Sequence, residues 1–280
     1  MTYDSIIIDA GPAGMVAALQ MKRSGLDIVL FEKGEIGGLL RNANCVENYL
    51  GFPDGISGKE LIRSFQDHLC KHKISIIREE VVEIGKEDAV FSVRTSGHTY
   101  LSSTVVIATG TVPKKAGIGG EEEFCGSRLF YEAADLPADG QQNTVLVIGG
   151  GDTAFDYALN LSGRGYVPTI VMRDTVSCLP LLKMRAEKRG IRTVEHMPVV
   201  RISLGAGQLE VQCASQCFQA DYVLVAVGRE PRYPRIATKS RRGLYYAGDV
   251  RSGQYRQVHI ATGDALRVAM EITHSHSYSL

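Results

Sequence analysis

The sequence has 280 residues, with 31 basic and 31 acidic side chains and a formal net charge of zero. That length holds one large domain or two modest ones, each with its own core. Balanced charge argues against a nucleic-acid footprint or a polybasic membrane patch, and no apolar run is long enough to span a bilayer.

The chain opens on a strand, from about Tyr3, rather than on a signal peptide. Its six cysteines (Cys45, Cys70, Cys125, Cys178, Cys213 and Cys217) form no CxxC and no metal-ligand spacing. Together these predict a reducing, cytoplasmic setting and no metal site.

From Tyr3 to Lys33 the chain reads YDSIIIDAGPAG…DIVLFEK. The pattern predicts a strand at Ile6–Ile8, a turn through Gly11, Pro12, Ala13 and Gly14, and a helix at Met15–Arg23 stopped by Gly25. A second strand follows at Ile28–Phe31 and ends in Glu32. This is the first unit of a dinucleotide-binding fold. Gly11 lets backbone approach a pyrophosphate, Gly14 lets the helix pack on the strand, and the helix N-terminus offers free N–H groups to phosphate. Glu32 lies 18 residues after Gly14, near where an acid meets a ribose hydroxyl. The fingerprint's first glycine is missing, and Asp9 stands there. Asp tolerates unusual turns. A carboxylate about 5 Å from a phosphate charge would cost about 3 kcal/mol at an effective dielectric near 20, unless it turns away or is protonated.

After Lys33, Gly37 and Gly38 predict a loop, and the chain stays irregular to a helix at Gly58–His72 capped near Ser57. Ile74–Ile77, Val81–Ile84, Ala89–Thr95 and His98–Leu101 read as a β meander. Thr104–Ala108 reads as a separate buried strand. Pro113–Gly120 reads as a linker, and Glu121–Glu123 as a solvated acidic turn. At Thr144–Asp174 the opening unit repeats at an offset of 140. Gly11 falls on Gly151, Gly14 on Ala154, Gly25 on Gly165 and Glu32 on Met172. Asp9 falls on Gly149, so the second copy keeps the glycine that the first has lost. Two such units in register are far stronger evidence than one. Next come a helix at Leu181–Arg189, short strands at Arg192–Glu195 and Arg201–Leu204, and a hairpin of Leu209–Cys213 with Phe218–Gln219. A buried strand at Tyr222–Val227 leads to a second linker at Pro231 and Pro234. The chain ends on Gly248–Asp249, a helix from about Gln257 to Ile272, and a polar tail.

The paired units, Ala108–Thr109–Gly110 and Ala247–Gly248–Asp249 resemble the two-dinucleotide flavoproteins. Gly37–Gly38–Leu39, Val46–Glu47–Asn48–Tyr49, Gly149–Gly150–Gly151 and Arg256–Gln257 resemble the thioredoxin-reductase branch. The resemblance implies an α/β chain of two Rossmann-like, doubly wound, three-layer nucleotide-binding domains, the second inserted in the first. Residues 1–115 and 230–280 would bind FAD, and 116–229 would form the NAD(P)-binding-like domain. It assigns FAD contacts to Gly11, Pro12, Ala13, Gly14, Glu32, Lys33, Gly37, Gly38, Leu39, Asn48, Val82, Ala108, Thr109, Gly110, Gly248, Asp249, Arg256, Gln257 and Val258. It assigns nicotinamide-nucleotide contacts to Gly149, Gly151, Asp152, Thr153, Ala154 and Arg173. Asp249 would bond the ribityl chain, and the dipole at Arg256–Val258 would stabilise negative charge on reduced flavin. A homodimer is also implied.

Three departures bear on function. The branch's CxxC positions fall on Glu132–Ala133–Ala134–Asp135, so no dithiol is present to attack a disulfide. Cys213 and Cys217 flank a hairpin turn and read as a structural or incidental pair. The arginines that grip a 2′-phosphate reduce to Arg173, with Met172 and Ser177 beside it, so preference between NADH and NADPH is open. The chain between Gly228 and Gly248 is short for the branch. GGGDTAFDYAL resembles the ferredoxin–NADP reductases of this fold, which also lack a dithiol. Three readings follow: an NAD(P)H oxidoreductase passing electrons through FAD to ferredoxin or a small acceptor, a flavoprotein with another electron donor, and a non-enzymatic flavin-binding sensor or subunit. No side chain stands out as a general acid, base or nucleophile.

Overall fold

The computed structural model describes residues 2–277. It divides into two compact units. One is built from the chain's two ends: up to Arg41, Cys45–Val112, and from Glu230 onward. The other is Pro113–Arg229 together with the short excursion Asn42–Asn44.

The first unit begins with β1 (Thr2–Ile8), α1 (Pro12–Arg23) and β2 (Ile28–Phe31). Then come α2 (Gly58–Lys71), β3 (Ile76–Ile77), β4 (Val81–Glu87), β5 (Val90–Thr95) and β6 (Thr99–Ile107). A parallel core of β6, β1, β2 and β3 continues through antiparallel β5 and β4. β1 is apolar on both sides because both its faces are covered. Ile7 joins a cluster with α1, while Ile6 and Ile8 join one with Phe91, Val93 and Ile84. Helix α1 starts earlier than its apolar periodicity indicates, because Pro12 is suited to a first helical position. Ser57 caps α2 with a full capping box through Glu60.

Two expectations fail here. Ile76–Ile77 pairs parallel with β2 instead of joining a meander. The polar stretch at 102–104 does not break β6: Ser102 Oγ donates to the Thr104 carbonyl and Thr104 Oγ1 to the Asp4 carbonyl. A third difference is small. Gly38–Asn42 forms a turn of 3-10 helix rather than a plain loop.

The chain crosses into the second unit through β7 (Thr111–Pro113), and that unit then carries α3 (Glu121–Phe124), β8 (Leu129–Phe130), β9 (Thr144–Ile148), α4 (Asp152–Gly163) and β10 (Val167–Val171). There follow α5 (Pro180–Lys188), β11 (Arg192–Val194), β12 (Val199–Leu204), β13 (Leu209–Cys213), β14 (Cys217–Ala220), β15 (Tyr222–Val225) and, at the exit, β16 (Arg229–Pro231). Its sheet is wholly parallel, in the order β11, β10, β9, β15, β8. Helices α4 and α5 cover one face. The antiparallel sheet β12–β13–β14 covers the other with Ile202, Leu209 and Val211. Both units are thus Rossmann-like α/β folds.

The chain returns to the first unit through β17 (Arg235–Ile236), β18 (Leu244–Tyr246), α6 (Asp249–Ser252) and α7 (Val258–Ser277). β17 pairs with β4 and β18 with β6. Ala261, Ala265 and Ala269 of α7 share a cluster with Ala13, Ala17 and Ala18 of α1. α7 runs through His274 and His276, past the end the sequence suggests; the last three residues of the expected tail lie outside the described residues. No described helix is long and apolar enough to cross a membrane.

The acidic run forms the short helix α3, on which Glu122 and Glu123 are exposed as expected but Glu121 is not. Glu121 is buried, and its carboxylate accepts N–H bonds from Ala116, Gly117 and Ile118 at 2.7–3.1 Å and the Tyr131 hydroxyl at 2.6 Å. Removing it leaves buried donors unmet. Glu121→Ala should destabilise the chain by about 3 kcal/mol in urea unfolding, and Glu121→Gln by less. A loss under about 0.5 kcal/mol for the alanine variant would contradict this role for Glu121.

Candidate functional site

In the first unit the site is the turn where β1 gives way to α1. Asp9 sits there with φ of 86°, a backbone region that L-residues enter at a cost of about 1–2 kcal/mol. That turn aims the Asp9 carbonyl at α1. A Cβ built on Gly14 would lie 1.9 Å from that oxygen, so the fold itself requires glycine at 14. Gly11 is different. Its φ is −72°, and a Cβ there would find nothing nearer than Asp9 Oδ1 at 3.7 Å. Nothing in the protein needs glycine at 11, whereas a phosphate laid across the turn does. The first unit therefore fits the pyrophosphate of a dinucleotide.

Neighbouring segments converge on the same turn. A Cβ on Gly38 would lie 3.5 Å from the Gly11 Cα, and Gly37 N–H bonds the Ala10 carbonyl. Gly248, at φ 78°, leaves only 2.8 Å between a built Cβ and the Ala13 methyl, which brings Asp249 and the start of α6 up to the start of α1. Asn48 Nδ2 donates to Gln257 Oε1 at 3.0 Å, so the loop at 45–57 docks on the start of α7. His259 stacks on Tyr49 at 4.4 Å and accepts the Leu50 N–H through Nε2; it serves the loop. A cleft of about 260 Å³ opens beside the turn. Ile8, Asp9, Phe31, Lys33, Val82 and Thr109 line it, and so do Glu80, Arg232 and Tyr233, which the sequence did not single out. Arg232 bonds Glu80 at 2.6 Å across 152 positions of chain, a pairing with no local signal.

The turn also carries an acid pair. β1 and β2 run parallel with Ile8 opposite Phe31, so Asp9 and Glu32 are neighbours. Glu32 is buried and accepts from Ala10 N–H at 2.9 Å and Gly34 N–H at 2.8 Å. Asp9 Oδ1 accepts from Gly11 N–H at 3.1 Å, and the two carboxyl groups share a hydrogen bond. Loss of water, and then the Glu32 charge, push the Asp9 carboxyl up to about 8. Burial and the Glu32 charge therefore favour the protonated form of Asp9, which lessens the phosphate repulsion that a charged Asp9 would impose.

In the second unit, Gly149 at φ 149° occupies the turn, and a Cβ there would meet the Ala226 carbonyl at 2.4 Å. Ala154 replaces the third glycine and is fully buried. Gly151, like Gly11, has room for a Cβ: its nearest neighbour would be Ser177 Oγ at 3.9 Å. The segment after β10 folds back here. Ser177 N–H bonds the Gly150 carbonyl at 2.9 Å, and Asp152, beside Thr153 at the start of α4, accepts the Leu179 N–H at 2.7 Å. Met172 is buried, while Arg173 is exposed and pairs with Asp174 at 2.9 Å.

Glu132 is tied into a polar network. It accepts from Arg229 Nη1 and the Tyr157 hydroxyl, each at 2.6 Å, and from Asn42 Nδ2 at 2.9 Å. Asn42 Oδ1 in turn accepts the Ala134 N–H at 2.9 Å. Cys213 is buried and its thiol is pushed up to about 11 by desolvation, while Cys217 is exposed; none of the six cysteines forms a disulfide. Among the described residues no group of His, Cys, Asp and Glu could hold a metal ion.

The family model described as pyridine nucleotide-disulphide oxidoreductase matches residues 3–265. The chain is 32% identical to the thioredoxin reductase of Bacillus subtilis, across 97% of its own length and 94% of the relative's. It is equally similar, at 32%, to the thioredoxin reductase of Treponema pallidum, across 95% of each chain. Among solved structures, T. acidophilum thioredoxin reductase superposes with a TM-score of 0.87 at 29% identity, covering 98% of this chain and 99% of the other. Lactococcus lactis thioredoxin reductase superposes with a TM-score of 0.88 at 27% identity over the whole of both chains.

The two fingerprint glycines give a separable pair of outcomes. Gly11→Ala should cost under about 1 kcal/mol of stability and weaken FAD binding at least about tenfold. Gly14→Ala should fail to fold. Thermal unfolding and FAD fluorescence quenching read the two effects; equal FAD affinity in wild type and Gly11→Ala would contradict the phosphate role.

Proposed function

The chain belongs to the pyridine nucleotide-disulphide oxidoreductase family, whose members bind FAD and a nicotinamide nucleotide, and from that premise we propose that it carries electrons from NADH or NADPH through FAD to an external acceptor without a redox-active dithiol. The dithiol-free route is supported by Glu132, held by Arg229, Tyr157 and Asn42 where the thioredoxin-reductase pattern has a thiol. An ion-paired carboxylate cannot attack a disulfide. Nor does Cys213 substitute, because burial keeps it a thiol.

In this reading the first unit is the FAD domain. FAD, when bound, supplies the electron-transfer chemistry. Gly11 and the N–H groups opening α1 would hold its pyrophosphate, with Glu32 at the ribose and Lys33 and Val82 along the cleft. Gly248 sets Asp249 close to the same helix end. Arg256, Gln257 and Val258, at the start of α7, would offer positive dipole and charge to a reduced cofactor. The second unit would take the nicotinamide nucleotide at Gly149–Ala154. Arg173 is exposed and pairs with Asp174 through Nε alone, so its remaining guanidinium donors could meet a nucleotide phosphate. The acceptor class is a one-electron carrier protein of ferredoxin type or a small oxidant, and a homodimer belongs to the same proposal.

A second reading keeps the flavin and takes electrons from another donor. The Ser177–Gly150 and Asp152–Leu179 bonds favour it, since they fold the chain's own segment over the second glycine loop.

Thiol chemistry separates this proposal from a thioredoxin reductase. The FAD-loaded protein should oxidise NADH or NADPH with ferricyanide as acceptor at a rate unchanged, within about twofold, after pre-reduction with the nucleotide and alkylation by iodoacetamide. It should not reduce thioredoxin. Alkylation-sensitive turnover, or thioredoxin reduction, would refute the dithiol-free route; inactivity with both nucleotides would favour the second reading.

A further inference from the structure

Two carboxyl groups on adjacent strands, at the turn that faces the phosphates, are an unusual burden for a dinucleotide cleft. Glu32 is fully engaged by two backbone donors, Ala10 N–H and Gly34 N–H. Asp9 Oδ1 is engaged by Gly11 N–H. The hydrogen bond between the two acids requires a proton, since two carboxylates are both acceptors only. The available donors to the pair are thus three backbone N–H groups and one acid proton.

The surrounding charges do not neutralise the pair. Arg232 acts on Asp9 only as the weakest of the influences on it. Its guanidinium is committed to Glu80 at 2.6 Å. Lys33 also leans on Glu80, at 3.6 Å, and Arg235 on Glu83, at 3.1 Å. Glu79, the remaining acid on the cleft, is bound to Thr95, His98 and Tyr100. Basic groups around the cleft therefore balance Glu80 and Glu83 and leave the Asp9–Glu32 pair to a proton.

We propose that Asp9 and Glu32 hold one proton between them, and that this proton is a condition of dinucleotide uptake: the cleft accepts FAD with Asp9 neutral and rejects it with Asp9 charged. The coupling rests on reading this cleft as the FAD site; the shared proton itself does not. Binding then falls as pH rises. No covalent step is involved, only loss of the shared proton to solvent.

The sign for stability follows from linkage. Native Asp9 keeps a proton that the unfolded chain releases above the ordinary carboxylate range, so stability contributed by this pair declines as pH rises toward about 8 and levels off above it. Asp9→Asn replaces the acid proton with an amide donor of the same shape. Asn also tolerates the positive φ of this turn. Asp9→Gly removes the acid altogether and restores the fingerprint.

The test uses the full chain. Thermal unfolding of wild type and Asp9→Asn is followed from mildly acidic pH to about pH 9, and FAD affinity is measured by fluorescence quenching over the same range. In wild type, FAD affinity should weaken about tenfold per pH unit above 8, while Asp9→Asn and Asp9→Gly stay flat. The melting temperature of wild type should fall relative to Asp9→Asn as pH approaches 8. Equal pH slopes of stability in wild type and Asp9→Asn overturn the shared proton. Divergent stability slopes with a pH-independent FAD affinity in all three overturn the coupling. If no variant takes FAD at any pH while the stability slopes diverge, the FAD reading of the cleft fails and the proton pair stands.

Discussion

The first unit depends on the approach of the Asp9 carbonyl to Gly14. That contact allows no Cβ at position 14, and it sets how far α1 leans onto β1. Once α1 is seated, Ala13, Ala17 and Ala18 present a shallow surface to the alanines of α7. Its N-terminus then faces outward, beside Gly11, Gly38 and Gly248, with free backbone donors. The second unit meets the same need by another distribution of residues. Gly149 makes the turn there, and the side chain that the first unit lost at position 14 returns as Ala154.

Much of this was legible in the sequence, because short-range patterns carry it. The βαβ unit at Tyr3–Lys33, its repeat 140 residues on and the capping box at Ser57 all rest on residues within a turn or two of each other. The same holds for the hairpin of β13 and β14. What was missed depends on distant partners. Glu121 reads as a surface acid until the loop at 116–118 and Tyr131 fold around it. The stretch at 102–104 reads as a break until Asp4 supplies an acceptor for Thr104. Arg232 carries no motif, and only the folded cleft shows it against Glu80.

Asp9 shows how a departure from a fingerprint is absorbed. Read as a charged side chain, it opposes phosphate. The fold places it beside a buried acid, and desolvation keeps a proton on it. The cost shifts from repulsion to dependence on pH and to a strained φ. At 132, where the proposed dithiol-free route leaves no thiol, Glu132 is the acceptor at the centre of a hydrogen-bonded network. Both changes leave the α/β frame in place and alter only what the turns can bind or transfer.

The proposed electron transfer needs FAD as the single two-electron centre, reduced by NADH or NADPH. It is tested most directly by anaerobic titration of the FAD-loaded chain with NADH and with NADPH, followed in the visible spectrum. One of the nucleotides should bleach the flavin completely at one equivalent per FAD. An end point at two equivalents would reveal a second two-electron centre and contradict it, as would a flavin that neither nucleotide bleaches.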